Sequence, residues 1–314
     1  MLQRIAVIGG GTMGRGIAAA FALRGFPVNL VEPSAAQRAT IRSEVEAGYG
    51  LLVDEASVAA DAATAAIERI TLFESLAPAV QDRDFIVEAA PEKLELKQAL
   101  LAELDSLAPA HAIFATNTSS LPLAPMIAAL PGARQARTLV THWYNPPLLM
   151  PLVEISAFGN MPPDLLEEVI ALHRQIDKRI AKVAKDVPGL IANRIQQAIA
   201  REVFSLIEQG VADAADVDTA LKFGPAFRYA TTGQLEVADF GGLDIWLTVG
   251  DNLLAAMDAS RQASPLLRQK VAEGKLGIKT GEGFYVYDKE NIPAIRRAFL
   301  GRLVKQLKAS SDYS

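Results

Sequence analysis

Three histidines and no cysteine bound the chemistry open to this 314-residue chain. Without thiols there is no thiolate nucleophile, no zinc-thiolate centre and no disulfide, so acid–base work falls to imidazole and carboxylate, and no metal site is expected. His142 stands at the carboxyl end of an apolar run, in Thr141-His142-Trp143-Tyr144-Asn145-Pro146-Pro147, where an open α/β sheet places its ligand crevice. Glu154 follows inside the apolar stretch Pro151-Leu152-Val153-Glu154-Ile155, where a buried carboxylate needs a partner. If the Asn145-Pro146-Pro147 turn folds the second stretch back on the first, Glu154 holds one ring nitrogen and leaves the other as a proton acceptor. That arrangement suits oxidation of a hydroxyl to a carbonyl, in which a base takes the O–H proton as hydride leaves the carbon. By spacing alone the pair reads equally as a hydrogen-bonded contact inside a core. His111, in an alanine- and proline-containing loop, and His173, on a helix between Leu172 and Arg174, read as structural or surface residues.

A second constellation binds rather than reacts. Gly9, Gly11 and Gly14, with Thr12 and Met13 between the last two, have the GxGxxG spacing after an apolar run and before helical periodicity. The three glycines serve a tight turn, backbone access to a pyrophosphate, and close packing of helix on strand. The helix start then offers unpaired N–H groups to phosphate. Glu32 ends the next apolar run, where an acidic side chain accepts from ribose hydroxyls and repels a 2′-phosphate, so NAD is expected rather than NADP. Arg38, close by, reads as a solvated helix charge.

These residues need a scaffold. Strands are expected at 3–8, 28–31, 84–88, 112–115, 138–141 and 179–183, alternating with helical periodicity. The alternation predicts an α/β, Rossmann-type doubly wound parallel sheet. Residues 34–66 read as a helical hairpin inserted into it, and 93–107 as an amphipathic helix with Leu94, Leu96, Leu100, Leu101 and Leu104 on one side and charges on the other. The turn Asp186-Val187-Pro188-Gly189 marks a boundary between a dinucleotide-binding domain, 1–187, and an all-α C-terminal domain, 188–314, that carries part of the substrate cleft. Exposed apolar helix faces there suggest a homodimer.

With 31 basic and 36 acidic residues there is no electrostatic footprint for nucleic acid or an anionic membrane surface, so the expected partner is a small-molecule substrate. No signal segment or membrane-length apolar run is read, and the expected location is cytoplasmic.

The motifs together resemble the L-3-hydroxyacyl-CoA dehydrogenase family, which includes the λ-crystallin, or L-gulonate 3-dehydrogenase, branch. His142-x-x-Asn145-Pro146 with Glu154 twelve residues on matches the family's catalytic signature. Val87-Glu88-Ala89 followed by Pro91-Glu92-Lys93 resembles the family's acidic loop near the nicotinamide ribose, and Thr116-Asn117-Thr118-Ser119-Ser120 the loop that meets the substrate hydroxyl. Asn193-Arg194 after Pro188-Gly189, and Gly274 through Tyr285, are similar to the opening and terminal segments of the C-terminal domain. The resemblance implies Ala90, Glu92, Lys97, Asn117 and Ser119 at the cofactor. It implies Ser119 and Asn193 as donors to the reacting oxygen.

The implied reaction is L-3-hydroxyacyl-CoA to 3-ketoacyl-CoA, in fatty acid metabolism. Two features point to small free hydroxy acids, gulonate- or carnitine-like, or another non-CoA substrate. Residues 43–68 carry no lysine or arginine, so a polyanion is repelled there. Phe227-Arg228-Tyr229 resembles the λ-crystallin branch, with Arg228 suited to a substrate carboxylate. A reading from another class is a structural nucleotide-binding protein.

Overall fold

In the computed structural model, which describes residues 2–313, the short apolar runs form one eight-stranded sheet. Its strands are β1 (Ile5–Ile8), β2 (Val28–Val31), β3 (Ile70–Phe73), β4 (Phe85–Glu88), β5 (Ile113–Thr116), β6 (Thr138–Trp143), β7 (Leu152–Ser156) and β8 (Arg179–Lys182). They lie in the order β3-β2-β1-β4-β5-β6-β7-β8, and every pairing is parallel except that of β6 with β7. β1, β2, β4 and β5 are buried throughout, as parallel strands covered on both faces must be. The order reverses between β1 and β4, which opens a crevice beyond the carboxyl ends of those strands.

The expected doubly wound fold is present, with two local differences among its strands. β1 begins at Ile5 because the amides of Gln3 and Arg4 turn to the Asp84 carboxylate. β3 was not anticipated: it is a four-residue, partly exposed edge strand pairing with β2 alone, so its hydrophobic pattern is weak.

Helices cover both faces. α1 (Thr12–Leu23) follows β1; α2 (Ala35–Asp54) and α3 (Ala60–Ile67) form the hairpin, and the Ser34 hydroxyl accepts from the Gln37 amide to start α2. Next come α4 (Leu76–Val80), α5 (Leu94–Leu107), α6 (Leu123–Ile127), α7 (Gly132–Gln135) and α8 (Pro163–Gln175). On one face Leu101 and Leu104 of α5 pack with Ile8, Ile86, Phe114 and Val140. On the other, Phe21 of α1 meets Phe85, Trp143 and His173 of α8. Each such side chain, fully buried, contributes roughly 1.5–3 kcal/mol.

The polarity of α5 differs from expectation. Lys97 is 1% exposed and Leu96 43%, because the sheet-facing strip runs through residues 94, 97, 101 and 104. The ammonium is tolerated inside because Glu88, at the end of β4, meets it.

The chain divides into two compact units, one running through Ile191 and including Gly301–Leu307, the other comprising Ala192–Leu300 and the chain from Lys308. The second unit is helical, with α9 (Ala192–Glu208), α10 (Ala214–Phe223), α11 (Pro225–Tyr229), α12 (Gln234–Gly241), α13 (Leu243–Leu253) and α14 (Pro265–Ala272). The last helix, α15 (Ile292–Ala309), spans residues of both units. Phe204 of α9 stacks on Phe284, and the Tyr285 hydroxyl reaches α10 at Ala214 and Asp218, so the 277–286 segment is anchored to this unit.

Candidate active site

The glycine loop lies at the switch point. Gly9 has φ +106°, and a Cβ there would sit 2.9 Å from the Ala89 carbonyl oxygen at the end of β4. A Cβ on Gly14 would fall 1.7 Å from the Gly9 oxygen, so α1 can close on β1 only with glycine at this position. Gly11 differs: nothing lies within 4 Å of its Cβ position, so the protein's own packing leaves that space clear. Gly11 provides no side-chain cap and the first turn of α1 holds no acidic residue, which leaves the amides of Thr12 and Met13 to an anion. Glu32 accepts from the Gly10 and Ser34 amides, which fixes its carboxylate beside the loop. Arg38 is spent on the Glu32 and Pro33 carbonyls and on Glu74 rather than solvated. A cradle clear at Gly11, open amides and an acid at the end of β2 fit a dinucleotide without a 2′-phosphate.

Beside the crevice, β4 and β5 end in a buried network. Glu88 accepts from Lys97 on both oxygens at 2.8 Å, from the Thr116 hydroxyl at 2.6 Å and from the Ala90 amide at 2.6 Å. Lys97 also donates to the Ala90 carbonyl, so it presents no surface of its own and acts on its surroundings through the 88–92 loop. Glu92 accepts from the Thr118 hydroxyl and from the Ser119 and Ser120 amides. Burial alone would raise this carboxyl, but those donors outweigh it and hold it down at about 2. Asn117 accepts from the Trp143 amide at 2.9 Å, which ties the Ser119 loop to β6. Glu88 as the partner of Lys97, and Thr118 as that of Glu92, were not foreseen in the sequence; an acid at a strand end nine residues before a lysine on the following helix is the signal that could have found the first.

The antiparallel pairing of β6 and β7 sets His142 directly opposite Glu154. Their side chains meet with Nδ1 2.8 Å from Oε2, His142 being 5% exposed and Glu154 fully buried. The other carboxylate oxygen accepts from the Ile191 amide at 2.8 Å. A carboxylate with both oxygens so used fixes the imidazole proton on Nδ1 and leaves a lone pair on Nε2. Among the described residues Nε2 has no hydrogen-bond partner, and Tyr144 stands edge-on to the ring. Such an imidazole can take a proton from a hydroxyl, with the charge that develops stabilised by Glu154.

The remaining histidines are elsewhere: His111 bonds Asp84 at the opposite end of β4, and His173 is walled in by aromatic rings. Asn193 opens α9 and Arg228 lies on α11, both in the second unit. Arg228 is exposed, and among the described residues its guanidinium forms no ion pair.

Comparison with known proteins agrees with this geometry. The family "3-hydroxyacyl-CoA dehydrogenase, NAD binding domain" matches residues 4–187, and "3-hydroxyacyl-CoA dehydrogenase, C-terminal domain" matches residues 189–287. The chain is 33% identical over 306 residues to the 5-formyl-3-hydroxy-2-methylpyridine 4-carboxylate 5-dehydrogenase of Mesorhizobium japonicum, covering 97% of each. It is 33% identical over 294 residues to the mitochondrial hydroxyacyl-coenzyme A dehydrogenase of Homo sapiens, covering 91% of this chain and 92% of that one. A solved structure of a 5-formyl-3-hydroxy-2-methylpyridine 4-carboxylic acid 5-dehydrogenase, an NAD+-dependent dismutase, superposes with a TM-score of 0.90 at 29% identity over 100% of both chains. Fold and cofactor loop thus define an NAD-dependent oxidoreductase. The chain belongs to the 3-hydroxyacyl-CoA dehydrogenase family.

Proposed function

We propose that this enzyme interconverts a hydroxyl and a carbonyl on a small carboxylic acid, with His142 as the base and Glu154 as its orienting partner. The observation that carries the reading is the buried Glu154 bonded to Nδ1 of an imidazole whose Nε2 has no hydrogen-bond partner among the described residues. Gly9, Gly11, Gly14 and the amides of Thr12 and Met13 hold the pyrophosphate, Glu32 the adenosine ribose, and Ala90, Glu92, Asn117 and Ser119 the nicotinamide side, the 88–92 loop being braced by Lys97. When bound, NAD supplies the acceptor for the substrate's hydride. Nε2 of His142 takes the hydroxyl proton, Glu154 stabilises the imidazolium, and Ser119 donates to the oxygen that becomes the carbonyl. Arg228 pairs with the substrate carboxylate.

Two observations favour a free acid over a CoA thioester. A relative that matches over 97% of each chain, and whose solved counterpart superposes with a TM-score of 0.90, is a pyridine carboxylate dehydrogenase. On the α1–α2 face, Arg15 pairs with Glu44, Arg38 with Glu74, and Arg42 with Glu46 and Glu68, which leaves these cations neutralised before any polyphosphate arrives. The CoA thioester is the second reading, favoured by the family match and by the human relative. NADH formation across free hydroxy acids, aromatic aldehyde acids and 3-hydroxyacyl-CoA thioesters decides between them. Turnover confined to acids, with a raised KM in Arg228→Ala, supports the first; turnover confined to thioesters overturns it; NAD binding without any turnover returns the structural nucleotide-binding reading.

A further inference from the structure

The connection between β6 and β7, residues 145–151, joins the two strands that carry His142 and Glu154. It is gripped from three elements. Pro147 lies on Gly16 of α1, where a Cβ would come within 3.0 Å of its ring, and Leu148 lies on Gly48 of α2, where a Cβ would come within 3.2 Å. From the third side Lys178, the residue before β8, donates from Nζ to the Pro147 carbonyl at 2.7 Å and the Met150 carbonyl at 2.9 Å. Within the connection the amides of Leu149 and Met150 both go to the Pro146 oxygen, not to the Pro147 or Met150 carbonyl. Without Lys178 the buried Pro147 carbonyl and the part-buried Met150 carbonyl would lose this donor, a costly state.

This lysine is 6% exposed and, among the described residues, forms no ion pair with a carboxylate. Its neighbour Asp177 pairs with Arg24 instead. The ammonium lies 5.0 Å over the ring of Trp143, adjacent to His142 in the chain. Burial, with Arg24 nearby, pushes it down to about 7. Packing alone does not require such a group, since a methionine of similar length would fill the space without the desolvation penalty. Its two hydrogen bonds do require it.

We propose that Lys178 is a positioning residue for the His142–Glu154 pair: by bonding the Pro147 and Met150 carbonyls it fixes the 145–151 connection and with it the register of the two strands. This rests on the reading of that pair as the acid–base machinery. Misplacement of a reacting group by about 1 Å can cost roughly 100-fold in rate, so a loosened connection acts on turnover more than on cofactor affinity.

The test compares wild type, Lys178→Met and Leu148→Ala by amide hydrogen exchange, NAD affinity and steady-state kinetics. The methionine variant is expected to exchange at least about tenfold faster across 145–151, to lose roughly 10- to 100-fold in kcat, and to keep its NAD affinity within about twofold. Leu148→Ala loosens the same connection from the α2 side and gives the same pattern with a smaller loss; it carries the test should the methionine variant fail to fold. Unchanged exchange in 145–151, or faster exchange with kcat within about twofold of wild type, overturns the proposal. If His142→Gln leaves turnover intact, the reading of the pair fails, and exchange alone still reports whether Lys178 pins the connection.

Discussion

One oxygen of Glu154 meets the imidazole Nδ1–H and the other accepts from the Ile191 amide. A carboxylate meets both, whereas an amide meets one and turns its NH2 towards the other. Glu154→Gln is therefore expected to lower kcat by about 100-fold or more, with NAD affinity preserved, in parallel kinetic and binding titrations. A variant within about threefold of wild type would remove Glu154 from the mechanism. His173 makes a different prediction. Burial among Phe21, Phe85 and Trp143 lowers its imidazole from 6.5 to about 4. Between those values the unfolded chain binds a proton that the folded one does not, so stability falls as pH drops from 6.5 towards 4, by on the order of 3 kcal/mol. Denaturant titrations of wild type and His173→Leu across that window should show a shallower fall in the variant; equal slopes would contradict the assignment. At this scale the His142–Glu154 contact could be read from the sequence, because an Asn-Pro-Pro turn between two apolar runs folds one onto the other. Lys178 could not, because Asp177-Lys178-Arg179 looks like a solvated charge cluster until the 145–151 connection covers its middle member.

The glycines at the start of α1 answer to separate demands, and substitution can tell them apart. Gly14→Ala places a Cβ inside van der Waals range of the Gly9 carbonyl and should unfold the loop, lowering Tm. Gly11 has an extended backbone and open space, so Gly11→Ala should leave Tm nearly unchanged. The same variant is expected to weaken NAD binding about tenfold or more, since the methyl occupies the approach of the pyrophosphate. Calorimetric melting and NAD titration check both; a Gly11→Ala protein with wild-type affinity would place the pyrophosphate elsewhere. Most of this layer was legible because buried parallel strands need continuous apolar runs and the covering helices need one apolar stripe. β3, as long as β1 but partly exposed at the sheet edge, did not need such a run. The face of α5 was misjudged because a lysine counts as polar until its buried partner, Glu88, is known.

For the whole molecule, the helical unit carries many of the large apolar side chains that stand exposed, and clustered exposed apolar groups mark interaction surfaces. Phe240 at the end of α12 is 87% exposed, Leu247 of α13 is 66% exposed, and no residue of α13 is fully buried. We propose that a second copy of the chain covers this face. Light scattering should then give twice 33.6 kDa, and Leu247→Glu should shift it towards 33.6 kDa; a wild-type monomer at micromolar concentration would contradict the pairing. Nothing in the sequence could identify the substrate, because substrate choice is set by cleft shape and by a few placed polar groups, not by the strand and helix pattern. The proposed chemistry stands on Nε2 of His142 as the proton acceptor. The most direct measurement is kcat/KM for NADH formation by His142→Gln, on whichever substrate turns over, with NAD affinity measured alongside. A fall of about 1,000-fold or more at unchanged NAD affinity is the predicted result; turnover within about threefold of wild type would contradict it.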